Sequence, residues 1–137
     1  MEINKTSQYA IRILNYIANN SEGRLVSAKE LAEVLEIPYK FLTKINTDLV
    51  KEGFIVSIRG REGGTKLARD ASEISILQVL NAFNEMHNQK DCLLGIGNCD
   101  TKKRCALHDQ WAKPKSMIQK MFEKTTLADM DGENFKI

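Results

Sequence analysis

Apolar positions recur at helical spacing along most of the chain and cluster as one β-branched run near its middle. Tyr9, Ala10, Ile13, Leu14, Ile17 and Ala18 form a stripe of period 3.6, which predicts an amphipathic first helix. Asn4 or Thr6 can cap it, and Asn19-Asn20-Ser21-Glu22-Gly23 closes it as a turn. Leu25-Val26 has room only for a very short strand. Ser27-Ala28-Lys29-Glu30 has the form of a capping box, so a second helix begins there with Leu31, Val34 and Leu35 inward. Ile37-Pro38 interrupts it, because the residue before proline avoids helical angles. Pro38 suits the first position of a third helix, which runs to about Glu52 and stops at Gly53.

The third helix has two faces. Leu42, Ile45 and Leu49 point inward, while Lys40, Thr43, Lys44 and Thr47 follow i, i+3, i+4, i+7 on the other side. Two helices joined by a tight turn, the second with a basic and hydroxyl face, match a helix-turn-helix. Phe54-Ile55-Val56-Ser57-Ile58, the glycine-rich Arg59-Gly60-Arg61-Glu62-Gly63-Gly64 and Thr65-Lys66-Leu67-Ala68 read as strand, turn and strand. The three glycines permit positive backbone angles in the turn. Two arginines at a hairpin tip beside a helix-turn-helix make a wing, since narrow minor grooves attract arginine.

A fourth helix starts at Ser75 with Gln78 as its capping partner and Ile76, Val79, Leu80 and Phe83 as its stripe. Turn-forming and charged residues follow through Asn84 to Asp91. Leu107, Trp111, Pro114, Ile118, Met121 and Phe122 then repeat in steps of four and three, the seam spacing of paired helices, and predict a dimerisation helix. Pro114 either bends that helix or starts it, leaving residues 107–111 as a separate turn. Thr125 to Met130 reads as a short terminal helix capped by a threonine, and residues 131–137 as a frayed tail. The predicted architecture is mainly α with a small β-hairpin. A winged helix-turn-helix spans residues 1–72, a connecting helix 73–91, a cysteine-rich loop 92–106, and a long dimerisation helix with its tail 107–137.

Bulk composition narrows the function classes. At 137 residues, 42% hydrophobic and 28% charged, the chain is an ordinary globular domain. No apolar run can span a membrane, and Met1 to Lys5 lacks a signal-peptide pattern, so a cytoplasmic protein is expected. The net charge of +2 is small, but between residues 40 and 69 seven Lys and Arg stand against three acids, a local +4. Such a patch is enough to seat phosphates.

The cysteines change the picture most. All three lie in the pattern Cys92-x6-Cys99-x5-Cys105-x2-His108. An odd count in a reducing compartment argues for metal binding or reactive thiols rather than disulfides. Single zinc ions are usually held by cysteines two to four residues apart; gaps of six and five suit a larger object, a multi-iron cluster. Gly95 and Gly97 free the turn, and Lys102, Lys103 and Arg104 offset thiolate charge. Three thiolates plus the weaker His108 leave one labile corner. A regulator or protein-interaction module with a structural zinc, and a thiol-only redox switch, stay open as alternatives. A Cys105–His108 nucleophile pair is disfavoured, because such pairs come from distant elements and no oxyanion motif accompanies this one. His87 has no motif around it.

With Tyr9-Ala10, Ala28-x-x-Leu31-Ala32, Ile37-Pro38-x-x-Phe41-Leu42-x-Lys44-Ile45, Leu49-x-Lys51-x-Gly53-Phe54-Ile55, Ser57-x-Arg59-Gly60-x-x-Gly63-Gly64, the cysteine loop and Thr126-Leu127-Ala128-Asp129, nearly the whole chain resembles the IscR/NsrR group of bacterial winged-helix regulators, the Rrf-two superfamily. The resemblance implies a homodimeric transcription factor, a repressor in the reading adopted here, that binds a near-palindromic duplex. Its binding would be set by a [2Fe–2S] or [4Fe–4S] cluster sensing nitric oxide, redox state or iron and cluster supply. It implies Cys92, Cys99 and Cys105 as ligands, with His108 as the fourth. Gln8 stands where one branch carries an acidic ligand, which favours His108 or an external group. Ser27, Pro38, Tyr39, Lys40, Thr43, Lys44, Arg59, Gly60 and Arg61 are the expected DNA contacts. Thr43 and Thr65 depart from the family pattern, so the operator would differ. No membrane and no small-molecule substrate is expected, and no enzymatic activity.

Overall fold

The computed structural model describes residues 3–83, 93–94, 102 and 104–130. Cys92, Cys99, His87, Gly95, Gly97 and Lys103, the segment 84–91 and the tail 131–137 lie outside the described residues. Three helices come first: α1 (Lys5–Asn20), α2 (Ala28–Leu35) and α3 (Tyr39–Lys51). Strands β1 (Ile55–Ile58) and β2 (Gly64–Leu67) follow, then a 3-10 turn at Ala71–Glu73 and α4 (Ile76–Ala82). The last elements are α5 (His108–Lys124) and a 3-10 turn at Leu127–Asp129.

Asn4, not Thr6, caps α1, its side chain accepting from the Ser7 N–H at 2.8 Å. The helix runs two residues further than its polar end suggests. Asn19 and Asn20 belong to it, and the Asn19 amide donates to the carbonyls of Asn15 (2.8 Å) and Met130 (3.2 Å). These asparagines are therefore not turn formers; one of them ties the end of the described chain to α1.

The capping box expected at α2 forms only by half. Ser27 Oγ accepts from the Glu30 N–H at 3.1 Å. The Glu30 carboxylate turns away and takes both Arg24 nitrogens at 2.8 and 2.9 Å and the Tyr16 hydroxyl at 2.7 Å. A bidentate charged pair outcompetes one backbone N–H. Val34, expected inward, is exposed, because this eight-residue helix buries only Leu31 and Leu35. Glu36 ends α2 in the left-handed region at φ 53°, and Arg12 Nη2 donates to the Leu35 carbonyl at 2.6 Å. Pro38 sits one position before α3 rather than at its first residue.

The hairpin is antiparallel, with Ile55 opposite Leu67 and Ile58 opposite Gly64. The short strand expected at residues 25–26 is a single bridge, Val26 to Thr65. Val26 N donates to the Thr65 carbonyl at 2.9 Å, while Thr65 N (2.7 Å) and Thr65 Oγ1 (2.9 Å) both donate to the Val26 carbonyl. This clamp seats the wing against the helices. Of the turn glycines, only Gly60 uses a positive φ (123°). Gly63 and Gly64 are glycine for room: a Cβ on Gly63 would meet the Ile58 carbonyl, and one on Gly64 would lie 2.8 Å from the Val26 oxygen.

One apolar core joins these elements to the C-terminal part. Ala10, Ile13, Leu14 and Ile17 meet Leu31, Leu42, Leu49 and Ile55, and the same cluster takes in Ile74, Val79, Leu80, Phe122 and Leu127. The box at α4 is complete, with Ser75 and Gln78 bonding reciprocally at 3.1 and 3.2 Å. Ile76 N donates to Thr125 O and Leu127 N to Ile74 O at 2.9 and 3.0 Å, fastening the end of α5 beside the start of α4. The terminal element is 3-10 rather than α, closed by Thr126 and Asp129.

Helix α5 runs through Pro114 without a break, so residues 107–111 are not a separate turn. Proline's missing N–H leaves the Gln110 carbonyl without its i+4 donor. The stripe divides along the helix: Phe122 is buried and Ile118 packs on the core, whereas Met117, Met121 and Leu107 stay exposed. Part of the predicted seam is thus used inside the chain. Among the described residues no helix is long and apolar enough to cross a membrane.

Candidate nucleic-acid interface and metal loop

Helix α3 presents its polar side because Leu42, Ile45 and Leu49 must be covered. Lys40, Lys44 and Thr47 are exposed and Thr43 is half-buried. The two threonine hydroxyls donate back to the carbonyls of Lys40 (3.1 Å) and Thr43 (2.9 Å), a local bond that a ligand can replace. Tyr39 at the head of the helix is 59% exposed.

Between α3, the start of α2 and the wing lies a groove of about 730 Å³. Of the residues expected to touch DNA, Ser27, Tyr39, Thr43, Arg59 and Gly60 line it. Pro38, Lys40, Lys44 and Arg61 stand exposed around it. Arg59 and Arg61 make no hydrogen bond or ion pair among the described residues, so both guanidinium groups are available to an anion. The hydroxyl of Ser27 is committed on its acceptor side to the helix cap.

The groove also contains Thr47, from the polar face expected of the third helix, and, among residues absent from the expected contact set, Lys29, Asn46, Val50 and Ser57. Ser57 and Lys29 could have been inferred from their proximity to the wing and to the α2 cap. Asn46 could not, because at about 100° per residue it falls between Leu42 and Thr43 on the helix wheel. Thr65 is buried at 4% exposure and bonded to Val26. It therefore supports the wing from the inner edge of the groove.

The Arg24–Glu30–Tyr16 cluster holds the loop before α2. Glu30 is held below the ordinary carboxylate range, first by Arg24 and then by the Tyr16 hydroxyl, and Tyr16 is raised chiefly by Glu30.

Of the expected cluster ligands, two are described. Cys105 is half-buried, and His108 opens α5 with its N–H donating to the Cys105 carbonyl at 3.1 Å. One turn therefore carries both a thiol and an imidazole, a donor pair suited to iron or zinc. Cys92 and Cys99 lie outside the described residues. Among the described residues, no three His, Cys, Asp or Glu gather as a metal site. Arg104 pairs with Asp109 across this turn at 3.2 Å, in water and so weakly. Gln8 donates to the Ile3 carbonyl at 2.7 Å.

Comparison with known proteins agrees with this geometry. The chain is 34% identical over 131 residues to the HTH-type transcriptional regulator NsrR of Oceanobacillus iheyensis, covering 95% of this chain and 89% of that one. The fold matches CymR, the global cysteine regulator of B. subtilis, with a TM-score of 0.79 at 19% identity over 94% and 95% of the two chains. It also matches IscR of T. potens, with a TM-score of 0.73 at 22% identity over 95% and 85%. The Rrf2 family profile, described as an iron-dependent transcriptional regulator, matches residues 3–132. The chain belongs to the Rrf2 family and is a DNA-binding transcriptional regulator rather than an enzyme.

Proposed function

We propose that this regulator is a cytoplasmic homodimeric repressor whose operator binding is controlled by an iron–sulfur cluster. The observation that carries the DNA-reading half is the groove between α3 and a wing whose two arginines have no hydrogen-bond or ion-pair partner among the described residues. In this reading Lys40, Thr43 and Lys44 lie nearest the bases of a major groove. Ser27, Pro38, Tyr39 and Gly60 approach the backbone, and Arg59 and Arg61 meet an adjacent minor groove or its phosphates. Two copies related by a two-fold axis then need near-palindromic half-sites about one helical turn apart, or a small multiple.

The dimer seam in this reading is the exposed side of α5, with Met117 and Met121 one turn apart. The division into a reading domain (1–72), connector (73–91), loop (92–106) and dimer helix (107–137) belongs to the same proposal.

Cys92, Cys99 and Cys105 would hold the cluster, with His108 completing the set. The described pair fits, since thiol and imidazole rise from one turn. When bound, a cluster would supply a centre that responds to nitric oxide, redox state or iron supply. The chain's own part is mechanical. From His108 to Phe122 the axis of α5 spans about 21 Å, and Phe122 is anchored in the core that also seats α1 and α3. A change at the Cys105–His108 end can tilt a lever whose other end touches the reading head. It shifts the balance of states only as far as it favours one of them.

A second reading, switching by thiols without metal, draws support from the shared fold with CymR of Staphylococcus aureus, whose structure is described as an oxidized form. Anaerobic purification separates the readings. Brown protein with iron and sulfide, lost on Cys99→Ala, supports the cluster. Colourless protein containing zinc supports a scaffold, and colourless metal-free protein supports the thiol switch.

A further inference from the structure

Among the buried side-chain atoms of the described residues, one stands without a hydrogen-bond partner: Oδ1 of Asn46. Asn46 is 9% exposed, sits in the middle of α3 and lines the groove between that helix and the wing. Buried acceptors are nearly always paired, and leaving one unpaired costs more than a made bond returns. An apolar residue of similar size would fill the site at lower cost. The carboxamide is not there for packing.

We infer that Asn46 is a further specificity-determining residue, which spends its free hydrogen-bonding capacity on the operator duplex and only in the specific complex. The inference rests on the DNA-reading role proposed for the groove and adds to it a residue on the groove floor.

The chemistry follows from the side chain. A terminal sp²–sp³ torsion is broad and nearly two-fold, so rotation about χ2 can present either the oxygen or the amide nitrogen to the groove. The oxygen can accept from the exocyclic amine of adenine or cytosine, the donors that the major groove displays. The nitrogen can donate to N7 of a purine. A phosphate can take only the donor half and cannot satisfy the oxygen. Asn46 is therefore suited to a base edge, reached directly or through one ordered water. The positive charge of Lys40, Lys44 and Arg59 adds an attraction to phosphates that is the same for every sequence, whatever base contacts those side chains also make, and Asn46 adds none.

The test uses the full-length protein and two duplexes of about three helical turns. One is enriched by the wild type from a randomised pool; the other is its scrambled counterpart. Asn46→Leu removes the polar group at nearly constant volume, and Asn46→Ala serves the same test without any risk of overpacking. Three results are expected together. The variant melts no lower than wild type. Its affinity for the enriched duplex falls about tenfold, the worth of a single lost base contact. The slope of log affinity against log salt stays unchanged, because no cation is removed. A variant that melts markedly lower, or one that keeps the wild-type ratio of enriched to scrambled affinity, overturns the inference. Failure of the groove reading itself looks different: the wild type then shows no preference for any duplex, and Arg59→Ala changes nothing. That result overturns both.

Discussion

Replacing Gly64 with alanine should loosen the wing and weaken DNA binding together. Gly64 has an ordinary φ, so the penalty is one of contact. The new Cβ would lie 2.8 Å from the Val26 oxygen, 2.9 Å from its carbonyl carbon and 3.0 Å from Leu25 Cβ. A carbon normally keeps about 3.3 Å or more from a carbonyl oxygen, so the backbones must part by roughly half an ångström. The atoms displaced are those of the clamp, whose three bonds span 2.7 to 2.9 Å. Each such bond contributes about 1 kcal/mol, and alanine recovers about half of one kcal/mol by stiffening the unfolded chain. The net loss is about 1–2 kcal/mol, or a melting temperature lower by roughly 3–8 °C for a chain of this size. Thermal unfolding followed by circular dichroism measures it. Because Arg59 and Arg61 ride on the same hairpin, operator affinity should fall as well. A variant with wild-type melting and wild-type affinity would refute the clamp.

Other perturbations report on other parts of the account. Arg59→Ala should weaken binding to all sequences and reduce the salt slope by about one unit, as read by titrations at several salt concentrations. Met121→Glu places a charge on the exposed side of α5, where the wild-type side chain is 53% exposed. It should convert dimer to monomer in sedimentation velocity while moving the monomer's stability by no more than about half of one kcal/mol. Glu30→Gln addresses the brace before α2. The folded-state pKa of Glu30 is depressed by Arg24 and Tyr16, so its stabilisation is present above the unfolded value near 4.3 and fades as pH falls through the folded one. The gap in stability between wild type and variant should therefore be full at neutral pH and close on acidification below about pH 4. A gap independent of pH would assign the brace to packing.

How much of this was legible in the sequence depends on which force decided each residue. Periodicity located the five described helices and the hairpin because burial of Ile13, Leu31, Leu42, Val79 and Phe122 dominates the energetics. It failed where two local options compete. Glu30 reads as a capping residue, but Arg24, six residues upstream, offers a stronger partner. Asn19 and Asn20 read as turn formers, but a tertiary carbonyl on Met130 keeps Asn19 in the helix. Val34 fits the stripe of α2, yet a helix of eight residues with a single contact side has no room to bury a third. The glycine-rich turn was recognisable as a wing. That Gly63 and Gly64 serve close approach, not positive φ, depends for the first on the Ile58 carbonyl within the hairpin and for the second on Val26 nearly forty residues away. The reading face of α3 was visible as Lys40, Thr43, Lys44 and Thr47, whereas Asn46 hid at the border of the core. The cysteine pattern was visible at once, and the structure adds that Cys105 and His108 share one turn.

The proposed switch rests on sulfur ligands in one loop that hold a cluster whose state sets DNA affinity. The most direct measurement is operator binding by anaerobically purified protein before and after controlled loss of its cofactor, with iron, sulfide and visible absorbance followed in the same sample. Coloured protein containing iron and sulfide is expected, with an operator affinity that changes by tenfold or more, at least about 1.4 kcal/mol of coupling, as colour is lost. Pale, iron-poor protein with the same affinity before and after reconstitution would contradict it.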